Sequence, residues 1–442
     1  MTWTKRILIA FSLLMVIALA LPYFITFNEY IPQIEKAISA ELQEPVSIKN
    51  IKFFSLPRPH ITVDGISVGT NEDVMLNKIV LVPDIFSLMQ STIVIKSIEV
   101  DSPIISQQAF IKIKELTKAN AASQQSSLVR VESIRFVNAL VKFDKVNFGP
   151  FDTRVDLNTN GKLAEASITT SDEALNILIK PDQSNYMINV HAKKWLVPIE
   201  PHLLLDELDV KGIATINDIN FNQVSAKLYG GSASGSVTLS WLKGYKLNGN
   251  LDINQVEMQK IASMLSSKTH FSGKLNAKPV FSASANTADQ LTKTLHLETP
   301  FKVQNGVLYG VDIQKAATSL IKKGSTGGET HFDQLSGQLV VARNSYNFTQ
   351  LKIVSGTLAV DGNVNISAKK DLSGRINTQV RAVGISTEVP LNVTGTVDSP
   401  LLYPTGATIA GAALGTAIMG PGVGTSVGAK VGGWVDNLFG GK

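Results

Sequence analysis

The chain has 442 residues, of which 44% are hydrophobic, 17% charged and none cysteine, and its formal net charge is +5. The lack of cysteine excludes disulfides, thiolate nucleophiles and cysteine-ligated zinc. Basic residues never run beyond pairs such as Lys193-Lys194, Lys322-Lys323 and Lys369-Lys370, the pattern of a solvated face, which argues against a nucleic-acid partner.

The chain opens on an apolar run. Ile7 to Phe27 (ILIAFSLLMVIALALPYFITF) contains no charge, and about twenty such residues cross a hydrocarbon core of roughly 30 Å. Ile7, Leu14, Ile17, Leu21 and Phe24 are the expected membrane-anchor residues. Lys5 and Arg6 precede the run, so the positive-inside rule leaves the amino terminus in the cytoplasm and carries the body across the membrane. A cleaved signal peptide is the competing reading, since Ala18-Leu19-Ala20 fits a small-x-small site. The run continues well past that site, which favours a retained anchor.

A short helix is expected from about Ile31 to Leu42, with Pro32 in its first turn and Ile34, Ala37, Ile38 and Leu42 on one face. The period then changes to two. Ile61 and Val63 alternate with polar neighbours, as do Ile93 and Ile95, with Ile98 and Val100 following. Val237, Leu239 and Trp241 continue the pattern, and so do Leu247, Leu251 and Ile253. Leu358 and Val360, then Val364 and Ile366, flank Asp361-Gly362, which reads as a hairpin turn. Tyr229-Gly230-Gly231, Asn305-Gly306 and Ser355-Gly356 read as further junctions. Helices are expected only at Val256 to Ser266, Thr287 to Leu295 and Asp312 to Lys322, and polar loops at Thr117 to Ser127 and Gly324 to Glu329. The body is therefore mainly β. Each strand has a dry face that must pack as a sandwich core, close into a barrel or hold something apolar.

Catalytic constellations are missing from the sequence. No phosphate-binding glycine loop with its Lys-Ser/Thr ending occurs, and Gly231 to Gly235 has Ala233 where a nucleophile elbow needs serine. The six histidines, His60, His191, His202, His270, His296 and His331, never pair at helical metal-site spacing. No cofactor, metal or catalytic residue is expected.

Four stretches together resemble a known family. Ala40 to Ser106 contains AELQEPVSIKNIKFFSLPRPHITVDGISVG and IVLVPDIFSLMQSTIVIKSIEVDSPIIS, closing on Asp101-Ser102-Pro103. Val303 to Lys315 (VQNGVLYGVDIQK) is followed by Thr330 to Val341 (THFDQLSGQLVV), and Glu388 to Pro404 reads EVPLNVTGTVDSPLLYP. In order and spacing these resemble the AsmA-like family of inner-membrane-anchored periplasmic proteins. The resemblance covers both ends of the body; 127–230 matches only in strand pattern. It implies an N-terminal transmembrane helix followed by an elongated, twisted, mostly antiparallel β-sheet groove with a few short helices. Its implied role is lipid transport to, or biogenesis of, the outer membrane, with phospholipids as ligand and a partner protein or the outer membrane at the far end. Ile61, Val63, Ile93, Ile95, Leu247, Leu251, Ile253, Leu358, Val360, Val364 and Ile366 are the groove candidates. A scaffold of outer-membrane protein assembly that carries no lipid is the alternative.

From Gly406 onward the composition changes. Gly420, Gly424, Gly428 and Gly432 recur every fourth residue, as in close-packed membrane helices, although Pro421 interrupts them and a flexible glycine-rich tail explains them equally well. The expected divisions are 1–27 stub and anchor, 28–116 amino-terminal module, 117–250 central sheet, 251–405 carboxyl-terminal module and 406–442 tail.

Overall fold

The computed structural model describes residues 27–70, 73–106, 129–142, 147–198, 202–266, 268, 270–319, 326–356, 358–382, 385–406, 408 and 429. The anchor residues Ile7, Leu14, Ile17, Leu21 and Phe24, the loop Thr117 to Ser127 and the tail glycines Gly420, Gly424, Gly428 and Gly432 lie outside them. Among the described residues no helix is long and apolar enough to cross a membrane. These residues form 24 strands with a few short helices, and the chain divides into two units, 1–192 and 193–442.

The first unit begins with a 3-10 turn at Phe27–Tyr30 and helix α1 (Ile31–Leu42), with Pro32 in the first turn as expected. Strands β1 (Val46–Phe54), β2 (His60–Val68), β3 (Val74–Pro83) and β4 (Ile93–Asp101) follow as an antiparallel meander. A 3-10 turn, Ile85–Met89, joins β3 to β4. Next come β5 (Ile104–Ser106), β6 (Val129–Val131) and β7 (Ser133–Lys142), where β6 and β7 run parallel to β4 and β5. Antiparallel pairing resumes through β8 (Asn147–Leu157), β9 (Leu163–Thr170), β10 (Leu175–Asp182) and β11 (Asn185–Leu196), the last of which crosses the boundary.

Helix α1 is held by the edge of β1. The N–H groups of Val46, Ile48 and Ile51 donate to Ser39 Oγ at 2.9 Å, Glu35 Oε1 at 2.7 Å and Asn28 Oδ1 at 3.1 Å. Glu35 and Ser39 lie one turn apart on one face of α1, and Asn28 stands in the 3-10 turn just before it. Ile31, Ile34 and Leu42 form a second stripe, which lies on Val46, Ile48, Ile51 and Ile66 of the sheet. One helix thus satisfies an exposed strand edge and covers part of a dry face.

The second unit is an antiparallel meander of β12 (Leu204–Ala214), β13 (Asp218–Leu228), β14 (Gly231–Ser240) and β15 (Tyr245–Glu257). It continues through β16 (Lys274–Ala277), β17 (Val280–Ala285) and β18 (His296–Tyr309), with β16 and β17 both bridging β15 and β18. It ends with β19 (Glu329–Ala342), β20 (Ser345–Val354), β21 (Leu358–Ile366), β22 (Leu372–Ala382), β23 (Ile385–Thr396) and β24 (Ser399–Pro404). Two helices interrupt it, α2 (Gln259–Leu265) and α3 (Ile313–Ser319). The expected helix at Val256 to Ser266 is shorter because Val256, 2% exposed, remains in β15 opposite Leu275. The expected helix at Thr287 to Leu295 is a 3-10 turn, Ala288–Thr294. The expected Asp312 to Lys322 helix is described only as Ile313–Ser319; its continuation lies outside the described residues.

Two expected turns are not turns. Asp361-Gly362 lies inside β21, which runs unbroken from Leu358 to Ile366. Asn305-Gly306 lies inside β18, with Asn305 at φ 52°. In both places glycine answers to close approach. A Cβ on Gly362 would collide with the backbone of Arg375 and Ile376, and one on Gly306 with Ser272 O and the Phe332 ring. Gly306 faces Phe332 across the ladder, as Gly249 faces Phe281 and Gly337 faces Phe301, so three phenyl rings lie over strand glycines. The turns at Tyr229-Gly230-Gly231 and Ser355-Gly356 are as expected.

Helix α3 defines the core of this unit. Asp312 Oδ1 accepts from Lys315 N–H at 2.8 Å, and Thr330 Oγ1 accepts from Ile313 N–H while donating to Val311 O. The helix touches β19 and also β22, β23 and β24, so the intervening sheet wraps around it. Ile313, Ala316 and Ala317 are buried against Val360, Ile376, Leu391 and Leu402, and Leu391 is wholly inaccessible. Thr378, opposite Val360 and Val389, is also wholly buried, and its hydroxyl has no hydrogen-bond partner.

Two predictions follow from this packing. Thr378→Val is expected to raise stability by about 1 kcal/mol by removing an unsatisfied buried hydroxyl, read as a higher urea midpoint; a lowered midpoint would show that the hydroxyl is satisfied. Glu35→Ala is expected to cost about 1–3 kcal/mol by orphaning the Ile48 amide. Hydrogen exchange at Ile48 should then accelerate while Ile66, paired within the ladder, keeps its protection.

Candidate functional site

The dry face of the sheet meets three different fates. In the first unit α1 covers it incompletely. A cavity of about 550 Å³ remains between α1 and strands β1 to β4. Tyr30, Ile34, Ile38 and Leu42 line it from the helix side. Val46, Ile48, Ile51 and Phe53 of β1, and Ile61, Val63, Ile66 and Val68 of β2, form its floor. Leu76, Ile79 and Leu81 of β3 and Ile98 of β4 complete it. Tyr30, 54% exposed, brings the one side-chain oxygen in this wall.

The floor does not follow strict alternation. Inward positions step by three at Ile48–Ile51, Val63–Ile66 and Leu76–Ile79. Register stacks these breaks side by side, since Ile48 faces Ile66 and Ile66 faces Leu76. Gly65, at φ 61°, sits in the middle break, where a Cβ would run into the Lys49 side chain. Resetting the pleat together on three strands keeps the apolar face continuous along the whole cavity. A one-strand break would have turned Lys49 or Asn77 inward instead.

In β12 to β17 of the second unit the dry face is buried at Val210, Ala226 and Ala283 and half-buried along β15. Leu247, Leu251 and Ile253 of β15 lie opposite Leu239, Gly235 and Ala233 of β14, and these in turn face Ile219, Val224 and Ala226 of β13. Ile253 packs beside Leu205, Leu228 and Val256, with Ile261 of α2 over them. The other side of these strands is mixed: Ser236, Thr238, Asn248, Asn250, His296 and Glu298, with the exposed Val280 and the half-buried Phe281, rim a depression of about 370 Å³. In the last strands the dry face is filled. Leu358 and Val360 are 4% and 5% exposed under α3, and Val364 packs against the same core.

The eleven groove candidates therefore separate. Ile61 and Val63 line the cavity. Leu247, Leu251 and Ile253 lie on the half-buried face. Leu358, Val360 and Val364 belong to a packed core, and Ile366 is half-buried at the end of β21 opposite Leu372. Ile93 is 37% exposed opposite Val129, and Ile95 lies half-buried opposite Pro83, so neither lines the cavity, whereas Ile98 does. Sequence periodicity missed the α1 side of the cavity because Ile34, Ile38 and Leu42 read equally as an ordinary packing stripe.

Titratable chemistry is sparse where it has been described. Among the described residues no group of three or more His, Asp or Glu could hold a metal ion. His296 and His331 each reach a neighbouring glutamate, Glu298 and Glu329, at 2.9 Å on exposed strand faces. Lys227 is drawn upward in pKa by the Glu207 carboxylate 2.7 Å away, as an exposed cross-strand pair.

The cavity walls make a direct prediction. An apolar fluorescent probe such as N-phenylnaphthylamine is expected to bind with blue-shifted emission, and Ile34→Glu should abolish that binding by placing a carboxylate in the wall. Equal probe binding by both proteins would remove the cavity as the site. No family model, curated protein or solved structure matches the chain.

Proposed function

We propose that the protein is an inner-membrane-anchored, periplasmic lipid-binding protein that takes phospholipid acyl chains and supports their movement to, or the building of, the outer membrane. The observation that carries this reading is the apolar cavity between α1 and β1–β4. Its volume of about 550 Å³ falls within the roughly 300–1,000 Å³ of ligand pockets. Each acyl methylene buried contributes about 0.8 kcal/mol, so some ten methylenes contribute about 8 kcal/mol before the cost of association. Headgroups remain in water, which is why the wall needs no ion pair. The apolar run Ile7 to Phe27 supplies the anchor, and the half-buried face containing Leu247 and Leu251 supplies a path for chains in the second unit. The resemblance to AsmA-like proteins agrees with each of these parts.

A scaffold that carries no lipid is the second reading. The observation favouring it is the packed core around Leu358, Val360 and α3, which fills the dry face beneath that helix; the hollow of about 530 Å³ on β18 to β21 is lined mainly by polar residues such as Gln338, Lys352, Asp361 and Asn363.

Lipid mass spectrometry separates the two. Residues 28–405, secreted to a bacterial periplasm and purified without detergent, are expected to carry phospholipid at about one or more per chain. Val63→Trp, which fills the cavity, should lose most of it, and Val360→Ala should retain it. A folded, lipid-free protein would put the scaffold reading first.

A further inference from the structure

One end of the first unit carries an apolar surface that the cavity does not use. Strand register fixes what meets there. Phe54 faces His60, so the turn of residues 55–59 closes that end. Ile61 faces Leu81 and Pro83 faces Ile95, so the 3-10 turn Ile85–Met89 leaves β3 at the same end. Five large apolar side chains stand out there: Leu56, Ile85, Phe86, Leu88 and Met89 are 58%, 50%, 82%, 54% and 93% exposed. Single exposed apolar residues are ordinary on a protein surface; five at one tip mark an interaction site.

The tip is built rather than loose. Asp84 Oδ1 accepts from Phe86 N–H, and Lys96 pairs with Asp84 at 3.4 Å. Ser87 is 3% exposed; its hydroxyl donates to Asp84 O and accepts from Val94 N–H at 2.8 Å. The polar groups of the turn face inward, and its apolar groups are what remains outside.

The chain enters at this end as well. Asn28 accepts from Ile51 N–H, and Ile51 lies three residues, roughly 10 Å, from the end of β1. Phe27, the last residue of the apolar run, is thereby tied beside the tip. On the anchor reading proposed above, a run long enough to cross a bilayer and ending there places this end against that bilayer. Charge at the tip is mixed, with Arg58 and Lys96 beside Asp84 and Glu29, so the apolar side chains and the entry of the chain, rather than charge, mark this end.

The geometry points to a bilayer-docking tip, in which Leu56, Ile85, Phe86, Leu88 and Met89 enter the interfacial layer of the phospholipid membrane that holds the anchor. This rests on the anchor and lipid-binding reading given above. Phe53, Ile61 and Leu81, which line the cavity, occupy the same end of their strands. Docking therefore presents the cavity to acyl chains without a passage through bulk water.

The cysteine-free chain makes the test direct. Full-length Phe86→Cys, Met89→Cys and, at the opposite end, Thr70→Cys proteins are labelled with the environment-sensitive fluorophore NBD. They are reconstituted into phosphatidylethanolamine–phosphatidylglycerol vesicles, and carbonate extraction is followed by flotation. The expected result is that all three float, that labels at 86 and 89 are blue-shifted and quenched by nitroxide lipids, and that the label at 70 is quenched only by aqueous iodide. Floating protein with labels at 86 and 89 as wet as at 70 overturns docking and leaves the anchor standing. Protein stripped by carbonate overturns the anchor and docking together. Labels that are shielded but untouched by nitroxide lipids, and that become wet when protein is diluted among vesicles, show copies of the chain meeting there and overturn a lipid surface as the occupant.

Discussion

An antiparallel sheet wet on one side has to dispose of its other side, and that constraint organises both units of this protein. Among the described residues, twenty-four strands with alternating faces create far more apolar surface than three short α-helices can cover. Where α3 seats in the last strands, the sheet wraps it and the core closes completely around Leu391 and Val303. Where α2 sits, Ile261 covers one patch and leaves Leu247 and Leu251 half-buried. Where α1 lies, the helix spans the strands without filling the space beneath, and a cavity remains. The same physical problem thus yields a core, a partly dry face and a cavity, according to how closely a helix approaches.

Hydrogen-bond accounting decides where the sheet bends and ends. The edge of β1 gives three amide groups to side chains of the segment containing α1, so covering the edge and placing the cavity roof are one event. Bulged residues are handled in a related way. Asn138, Gln255 and Gln350 take left-handed conformations, and each gives its displaced N–H to a side-chain oxygen on the next strand: Asp152, Asn276 and Asn363. Each bulge adds local twist while its amide keeps a partner. The sheet can therefore curve around its helices without leaving unsatisfied amides at those points.

The character of the cavity limits what chemistry it can perform. Apart from the Tyr30 hydroxyl, its wall is aliphatic and aromatic hydrocarbon. It distinguishes ligands by hydrophobic length and cross-section, and releases them when another apolar environment is adjacent. On the lipid-binding function proposed above, binding in such a cavity is reversible and non-directional. Direction would have to come from what lies at either end.

The alternation of Ile61 with Val63 and of Leu247 with Leu251 already required strands with one dry face, and the shift to helical spacing placed α1 at Ile31–Leu42. The missing catalytic spacings were equally plain. Periodicity is local, so it was readable. It could not tell that Leu358 and Val360 lie under α3 whereas Ile61 and Val63 line a void, because the difference depends on how far a distant helix stands from the sheet. Nor could it tell that Asp361-Gly362 and Asn305-Gly306 stay within strands. Glycine signals a turn and a close cross-strand approach with the same letter, and only the neighbouring strand, by bringing Arg375 or Phe332 against it, decides which is meant.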